Sequence, residues 1–222
     1  MRKSIFAVSL LAAALVSPLA NAYQQGDVIV RAGAALVDPN SSSEDLEING
    51  TKAPGTKDLV HVGTDTQLGL TFAFMLQDHL GLELLAATPF KHDLQLKGVG
   101  KLGSTKHLPP TLSLQYYPMD SASKFQPYAG IGVNYTVFFD EDLTSEAETT
   151  FDNLDLDNSW GLAGQIGADY LITDNVLINA AVWYMDIDTT ATMDVVGAPG
   201  VQVKSDVTID PWVYMVGMGY KF

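Results

Sequence analysis

The last eleven residues constrain the chain most. From Trp212 to Phe222 a large apolar side chain occupies every second position, Trp212, Tyr214, Val216, Met218, Tyr220 and Phe222, with Val213, Met215, Gly217, Gly219 and Lys221 between them. A repeat of two puts the first set on one face of a strand and the second on the other. A helix would scatter both sets around its surface.

The alternation recurs upstream in seven stretches, approximately 27–37, 60–76, 80–90, 108–118, 126–139, 159–172 and 175–187. The large apolar face carries, for example, Val28 and Val30 in the first stretch, Phe72 and Phe74 in the second, and Leu82 and Leu84 in the third. The seventh is apolar on both faces; Asn179 orients it, leaving Ile178, Ala180, Val182 and Tyr184 on the large apolar side. Glycines gather on the opposite face, at 33, 69, 81, 130, 132, 161, 167, 217 and 219, and only Gly164 departs from this. A narrow closed sheet needs small residues where side chains converge. A soluble sandwich would bury its large apolar face and has no reason to reserve the other for glycine. The large apolar face therefore points to lipid, and the sequence predicts an all-β chain: an eight-stranded antiparallel up-and-down transmembrane β-barrel.

Aromatic spacing gives the height of the apolar band. Trp160 and Tyr170, like Trp212 and Phe222, share the outward face ten residues apart, which in a tilted strand spans roughly 25 Å. Phe90, Tyr135, Trp160, Tyr184 and Trp212 are expected to form one girdle, and Phe74, Tyr116, Tyr170, Tyr220 and Phe222 the other. Connections near 77–79, 119–125 and 173–174 are short, whereas 38–58, 91–107, 140–158 and 188–206 are long, so short turns face the periplasm and four long loops face outside.

The N-terminus fits export. Arg2 and Lys3 precede an apolar run from Ile5 to Val16, then Pro18 and the triplet Ala20-Asn21-Ala22, the parts of a cleavable signal. Residues 1–22 are read as a signal peptide and 23–222 as the barrel. The absence of a further helix-length apolar run excludes only a helical membrane protein. A formal charge of −14 argues against nucleic acid as a partner. Of 26 acidic residues, 17 fall in the four long loops, against seven basic ones, so the acidity describes an outer rim. Without cysteine there is no disulfide or thiolate chemistry.

Several stretches resemble the OmpW family of Gram-negative outer-membrane proteins: Gln67-Leu68-Gly69-Leu70-Thr71-Phe72, Glu83 to Phe90, His107-Leu108-Pro109-Pro110-Thr111, Pro127-Tyr128 with Asn134-Tyr135, Trp183 to Asp188, and Asp210-Pro211-Trp212 leading to Phe222. The resemblance implies an eight-stranded barrel associated with passage of small hydrophobic molecules across the outer membrane. It also implies that Phe222, with Tyr220 beside it on the outward face, is the signal read by the barrel-assembly machinery.

The lumen of such a barrel is just wide enough for side chains to fill. Inward Arg31, Glu83, Gln115, Asn134, Gln165, Asp169 and Lys221 are expected to plug the periplasmic half, since enclosed charges must pair. Higher up, Leu85, Ala87, Pro89, Trp183, Met185 and Ile187 form an apolar lining that a water-filled pore would not choose. They either line a passage for a hydrophobic solute or simply pack the interior. Pro89, Pro109 and Pro110 lack N–H donors where the third and fourth strands meet, so they mark a lateral gap toward the bilayer or merely end those strands.

The only histidines are His61, His79, His92 and His107, and none lies in a nucleophile motif. His92, Asp93 and Ser104 make the best available trio, and no enzymatic role, cofactor or metal site is expected. The segment Asp140 to Asp157 carries eight acidic and no basic residues, lacks an EF-hand pattern, and reads as a solvated loop. Lys91, Lys97, Lys101 and Lys106 could lie near lipopolysaccharide phosphates. The expected partners are outer-membrane lipids, lipopolysaccharide, small hydrophobic solutes and the assembly machinery, around a monomer. The alternative function is a closed barrel whose loops serve as a surface receptor for phage, bacteriocins or host factors; a lipid-modifying enzyme ranks below both.

Overall fold

The computed structural model describes residues 22–98 and 100–222. The signal-peptide segment lies outside them except for Ala22, whose N–H donates to the carbonyl of Ser121. Eight strands make the wall: β1 (Val28–Asp38), β2 (Asp65–Gln77), β3 (Leu80–Ala87), β4 (Thr111–Tyr116), β5 (Phe125–Leu143), β6 (Ser159–Leu171), β7 (Val176–Met185) and β8 (Trp212–Lys221). Each pairs antiparallel with the next, and β8 returns to β1 with Arg31 opposite Gly219 and Leu36 opposite Tyr214. Closure leaves no strand of the wall as a free edge.

The two faces divide as the alternation requires. Phe72, Leu84, Leu114, Leu162, Val216 and Met218 are exposed on the outer face, whereas Ile29, Ala73, Leu177, Ala181 and Met215 are buried within. Ring pairs brace neighbouring staves at the rims, Tyr135 with Trp160 at 4.4 Å between centroids and Tyr184 with Trp212 at 5.1 Å. The glycine bias has a steric cause. A Cβ on Gly167 would sit 2.5 Å from the Tyr128 ring, and Gly33 and Gly217 face each other with no room for one on either. At Gly164, on the outer face, a Cβ would meet nothing within 4 Å.

Above the aromatic rim the structure departs from the expected loops. Three of the four long connections build further sheet, and the fourth adds short strands to it. Phe90–Leu96 and Gly100–Leu108 form a hairpin that pairs with the upper part of β5 on one side and with Val60–Val62 on the other. Phe151–Leu156, Asp188–Val195 and Gln202–Thr208 form a second sheet, joined by Ser42–Ser43, Glu47–Ile48 and Thr51–Lys52. The stretch expected as one strand over 60–76 is thus split, its first part belonging to this upper storey.

Phe90 corrects a second expectation. The two-residue repeat puts it in the outward girdle, but it is 1% exposed and packs against His107 inside. The β3–β4 ladder ends at Leu85 opposite Thr111, and pairing resumes at Phe90 opposite His107, so four residues on one side face three on the other. The extra residue reverses which side chains face inward on the β3 side. His92 and Leu94 consequently turn into the lumen, and Lys91 and Asp93 turn out.

Candidate functional site

Three features mark the barrel from bottom to top: a polar floor, a break in the wall, and an apolar chamber.

The floor is centred on Arg31. Its Nε donates to Asp169 Oδ1 at 3.0 Å and its Nη2 to Asp169 Oδ2 at 2.5 Å, while Nη1 reaches Glu83 Oε2 at 3.0 Å. All three side chains are wholly buried. A planar guanidinium with five donors is suited to this double capture. Tyr117 receives Nη2 at 3.1 Å and passes its own hydroxyl hydrogen to Gln115 Oε1 at 2.7 Å, and Gln115 Nε2 donates to Gln165. Tyr23 and Asn179 both donate to Asp169, and Tyr128 lies under the guanidinium with its ring centroid 5.3 Å away.

Five of the seven polar residues expected in the plug, Arg31, Glu83, Gln115, Gln165 and Asp169, are therefore brought together here. Lys221 stands at the periplasmic rim, 3.8 Å from Asp27. Asn134 is placed elsewhere, at the break described below. Tyr23, Tyr117, Tyr128 and Asn179 are additional members; the two-residue repeat already turned Asn179 inward.

The break lies between β3 and β4, where residues 86–89 and 108–110 form no rungs. The other edges stay zipped: β3 continues against β2 as far as Gly69 opposite Ala87, and the Pro110 carbonyl accepts from Tyr135 N–H at 3.0 Å. Asn134 explains how the unzipped side is satisfied. Its Nδ2 is 3.2 Å from Pro109 O, 3.3 Å from Pro110 O and 2.9 Å from Thr111 Oγ1, so the side-chain amide and the Thr111 hydroxyl, which donates to Pro109 O at 3.1 Å, serve the Pro109 carbonyl at the broken ladder. Pro89 and Pro110 are exposed and Pro109 is buried. The break stands level with the upper girdle residues Tyr135 and Trp160.

Leu85, Trp183, Met185 and Ile187 are buried inside at this level, and Ala87 is partly buried. Met185 sulfur lies 3.8 Å from both Thr111 Oγ1 and Asn134 Nδ2, which ties this apolar group to the break.

The chamber is higher still. It is a cavity of about 50 Å³, walled by Leu94, Leu102, Phe138, Leu154, Met193 and Val207 among others. None of the six residues expected in the apolar lining lines it, and Pro89, expected to face inward, is exposed because the extra residue reverses the pleat there. Those missed, Leu154 and Leu156 above all, come from the segment expected to be a solvated acidic loop. There the strand Phe151–Leu156 turns two leucines inward and leaves Asp152 and Asp155 exposed. The signal was present as Leu154-Asp155-Leu156-Asp157, an alternation hidden by the charge.

Two histidines interrupt the apolar wall. His92 and His107 lie ring to ring with centroids 4.7 Å apart, both lining the cavity. His92 Nδ1 is 2.6 Å from Gly63 O, and the Nε2 atoms of both rings are buried without a partner among the described residues. These rings sit above the membrane band, and burial lowers both imidazole pKa values, that of His107 to about 3 with the neighbouring His92 adding to the effect. The pair is neutral at pH 7.

The trio His92, Asp93 and Ser104 is not assembled. His92 is held by a backbone carbonyl, while Asp93 points outward to Lys101 at 2.7 Å. Of the four lysines of this hairpin, Lys106 also pairs, with Asp140 at 2.9 Å. Tyr220 and Phe222 lie on the outer face with rings 4.7 Å apart.

Comparisons with known proteins agree with this architecture. The outer membrane protein W of Vibrio cholerae is 44% identical over the whole of both chains. The crystal structure of OprG from Pseudomonas aeruginosa superposes with a TM-score of 0.87 at 53% identity, covering 92% of this chain and 99% of that one. The solid-state NMR structure of outer membrane protein AlkL in lipid bilayers gives 0.69 at 26% identity, covering 96% and 97%. The model of the OmpW family matches residues 24–222. The chain is an outer-membrane β-barrel that belongs to the OmpW family.

Proposed function

We propose that this barrel is a passage for small hydrophobic molecules, entered from outside through the apolar chamber and left sideways into the bilayer. The single observation that carries the proposal is the vertical order of the interior: an apolar chamber stands above a break in the wall, which stands above a floor where Arg31 is held between two buried carboxylates. A molecule that loses its hydration at no cost can enter such a chamber, whereas an ion cannot. The floor gives neither a route downward, because its hydrogen-bonded groups fill the section of the barrel.

The way out is then lateral. Leu85, Ala87, Trp183, Met185 and Ile187 form the apolar surface between chamber and break, and Pro89, Pro109 and Pro110 keep the break from zipping because they offer no N–H to the ladder. Three or so missing rungs open roughly 10 Å of wall along the strands. That is room for a thin apolar molecule at the level where the outer leaflet begins.

The test is uptake of an alkylbenzene by cells whose outer membrane lacks other hydrophobic channels. Wild type should speed uptake, and Leu85→Lys should return it to the rate without the protein while the barrel still shows heat-modifiable migration on gels. Unchanged uptake in a folded Leu85→Lys variant overturns the proposal.

A further inference from the structure

The chamber contains more chemistry than a purely hydrocarbon passage requires. Its walls are apolar except at a few places, and two of those are imidazoles whose Nε2 atoms are buried with nothing to bond. A buried polar atom left unpaired is costly and rare, and a pair of them facing one cavity calls for an occupant.

The tautomer of His92 defines half of that occupant. Gly63 O can only accept, so Nδ1, 2.6 Å away, carries the hydrogen. In the neutral ring Nε2 is then a bare acceptor and needs a donor. His107, 2% exposed and neutral for the same reason of burial, lines the same cavity with its ring centroid 4.7 Å from that of His92 and adds a second Nε2 without a partner among the described residues. Among common functional groups a hydroxyl both donates to a bare nitrogen and accepts from a protonated one.

The other charged groups do not alter this logic. Asp65 binds the amide of Gln67 and the N–H of Lys91, Asp93 faces outward to Lys101, and Lys204, the charged member of the cavity wall, is exposed. None supplies a buried counter-charge for an ionised ligand inside the chamber. A water can meet the two nitrogens as well, but a solute hydroxyl that takes its place also covers the apolar walls with the rest of the molecule.

We infer that the chamber, widening around its guest, selects small apolar molecules bearing one hydroxyl, phenols and short alcohols, over the matching hydrocarbons, with His92 and His107 as the specificity-determining residues. The inference rests on the chamber being the entrance of the proposed passage. It adds that the passage discriminates among apolar solutes by one polar contact.

The experiment uses the refolded full-length barrel in lipid nanodiscs with phenol and benzene as probes, followed by binding titration and by the 15N shifts of the two imidazoles. Wild type should bind phenol about tenfold more tightly than benzene after correction for partition into lipid, as one well-made hydrogen bond to a buried acceptor allows. Phenol alone should move the Nε2 resonances. The double variant His92→Phe/His107→Phe should bind both probes alike, and His92→Gln, which keeps an acceptor, should restore part of the preference. Equal binding of both probes by wild type, or imidazole shifts indifferent to phenol, overturns the selectivity while leaving the passage intact. Binding of neither probe overturns both.

Discussion

Arg31 and Asp169 form a two-point contact across the lumen, Nε to Oδ1 at 3.0 Å and Nη2 to Oδ2 at 2.5 Å, with both side chains removed from solvent. A charge buried this way is tolerable only while its partner remains. Asp169→Leu should therefore destabilise the barrel by ~3–5 kcal/mol. Removing the other two buried charges as well, with Arg31→Met and Glu83→Gln, should recover much of that loss. Urea midpoints in lipid vesicles measure both, and a single variant as stable as wild type would show that the floor does not depend on this pair.

The two kinds of glycine should behave oppositely. Gly167→Ala forces a methyl to within 2.5 Å of the Tyr128 ring and should cost about 1–3 kcal/mol. Gly164→Ala meets nothing and should be neutral or stabilise by up to ~1 kcal/mol, because it narrows the unfolded ensemble. The same urea titration separates them.

Acid should loosen the upper storey. Both imidazoles have folded pKa values below the unfolded value near 6.5, that of His107 at about 3. Between those pH values the unfolded chain binds more protons, so stability is fully present above pH 6.5 and falls as pH drops toward 3. The slope is at most ~1.4 kcal/mol per pH unit for each histidine. Proteolysis of the 90–108 hairpin in intact barrels, compared at pH 7.5 and 4.5, should accelerate in wild type and less so in His107→Gln.

Sealing the wall should stop transport. Cysteines introduced at Ala87 and Pro109, on the two sides of the missing rungs, should block uptake of an apolar probe when oxidised and release it when reduced. Uptake that persists under oxidation contradicts a lateral exit.

The wall was legible in the sequence because lipid and lumen impose opposite demands on alternate residues, as Leu84 and Glu83 or Ile178 and Asn179 show. Most of the floor followed from the same parity: once Arg31, Glu83 and Asp169 turn inward, an enclosed space compels them to meet. The chamber was less legible for two physical reasons. The unequal count of residues around Pro89 reverses the pleat, so extrapolation from Leu82 and Leu84 put Phe90 outside and left His92 and Leu94 unassigned. Acidic residues at 152, 155 and 157 also made a two-leucine strand look like solvated loop. Asn134 shows a third limit, since parity gives the side a residue faces but not the height of its partners.

The central claim is that small apolar molecules cross the lipopolysaccharide leaflet through this barrel. The most direct measurement is the initial rate of alkylbenzene entry into cells with and without the protein, at equal amounts of folded barrel for wild type and for Leu85→Lys. A rate raised by wild type and abolished by the lysine is the expected result. A rate that does not depend on the protein would contradict the account.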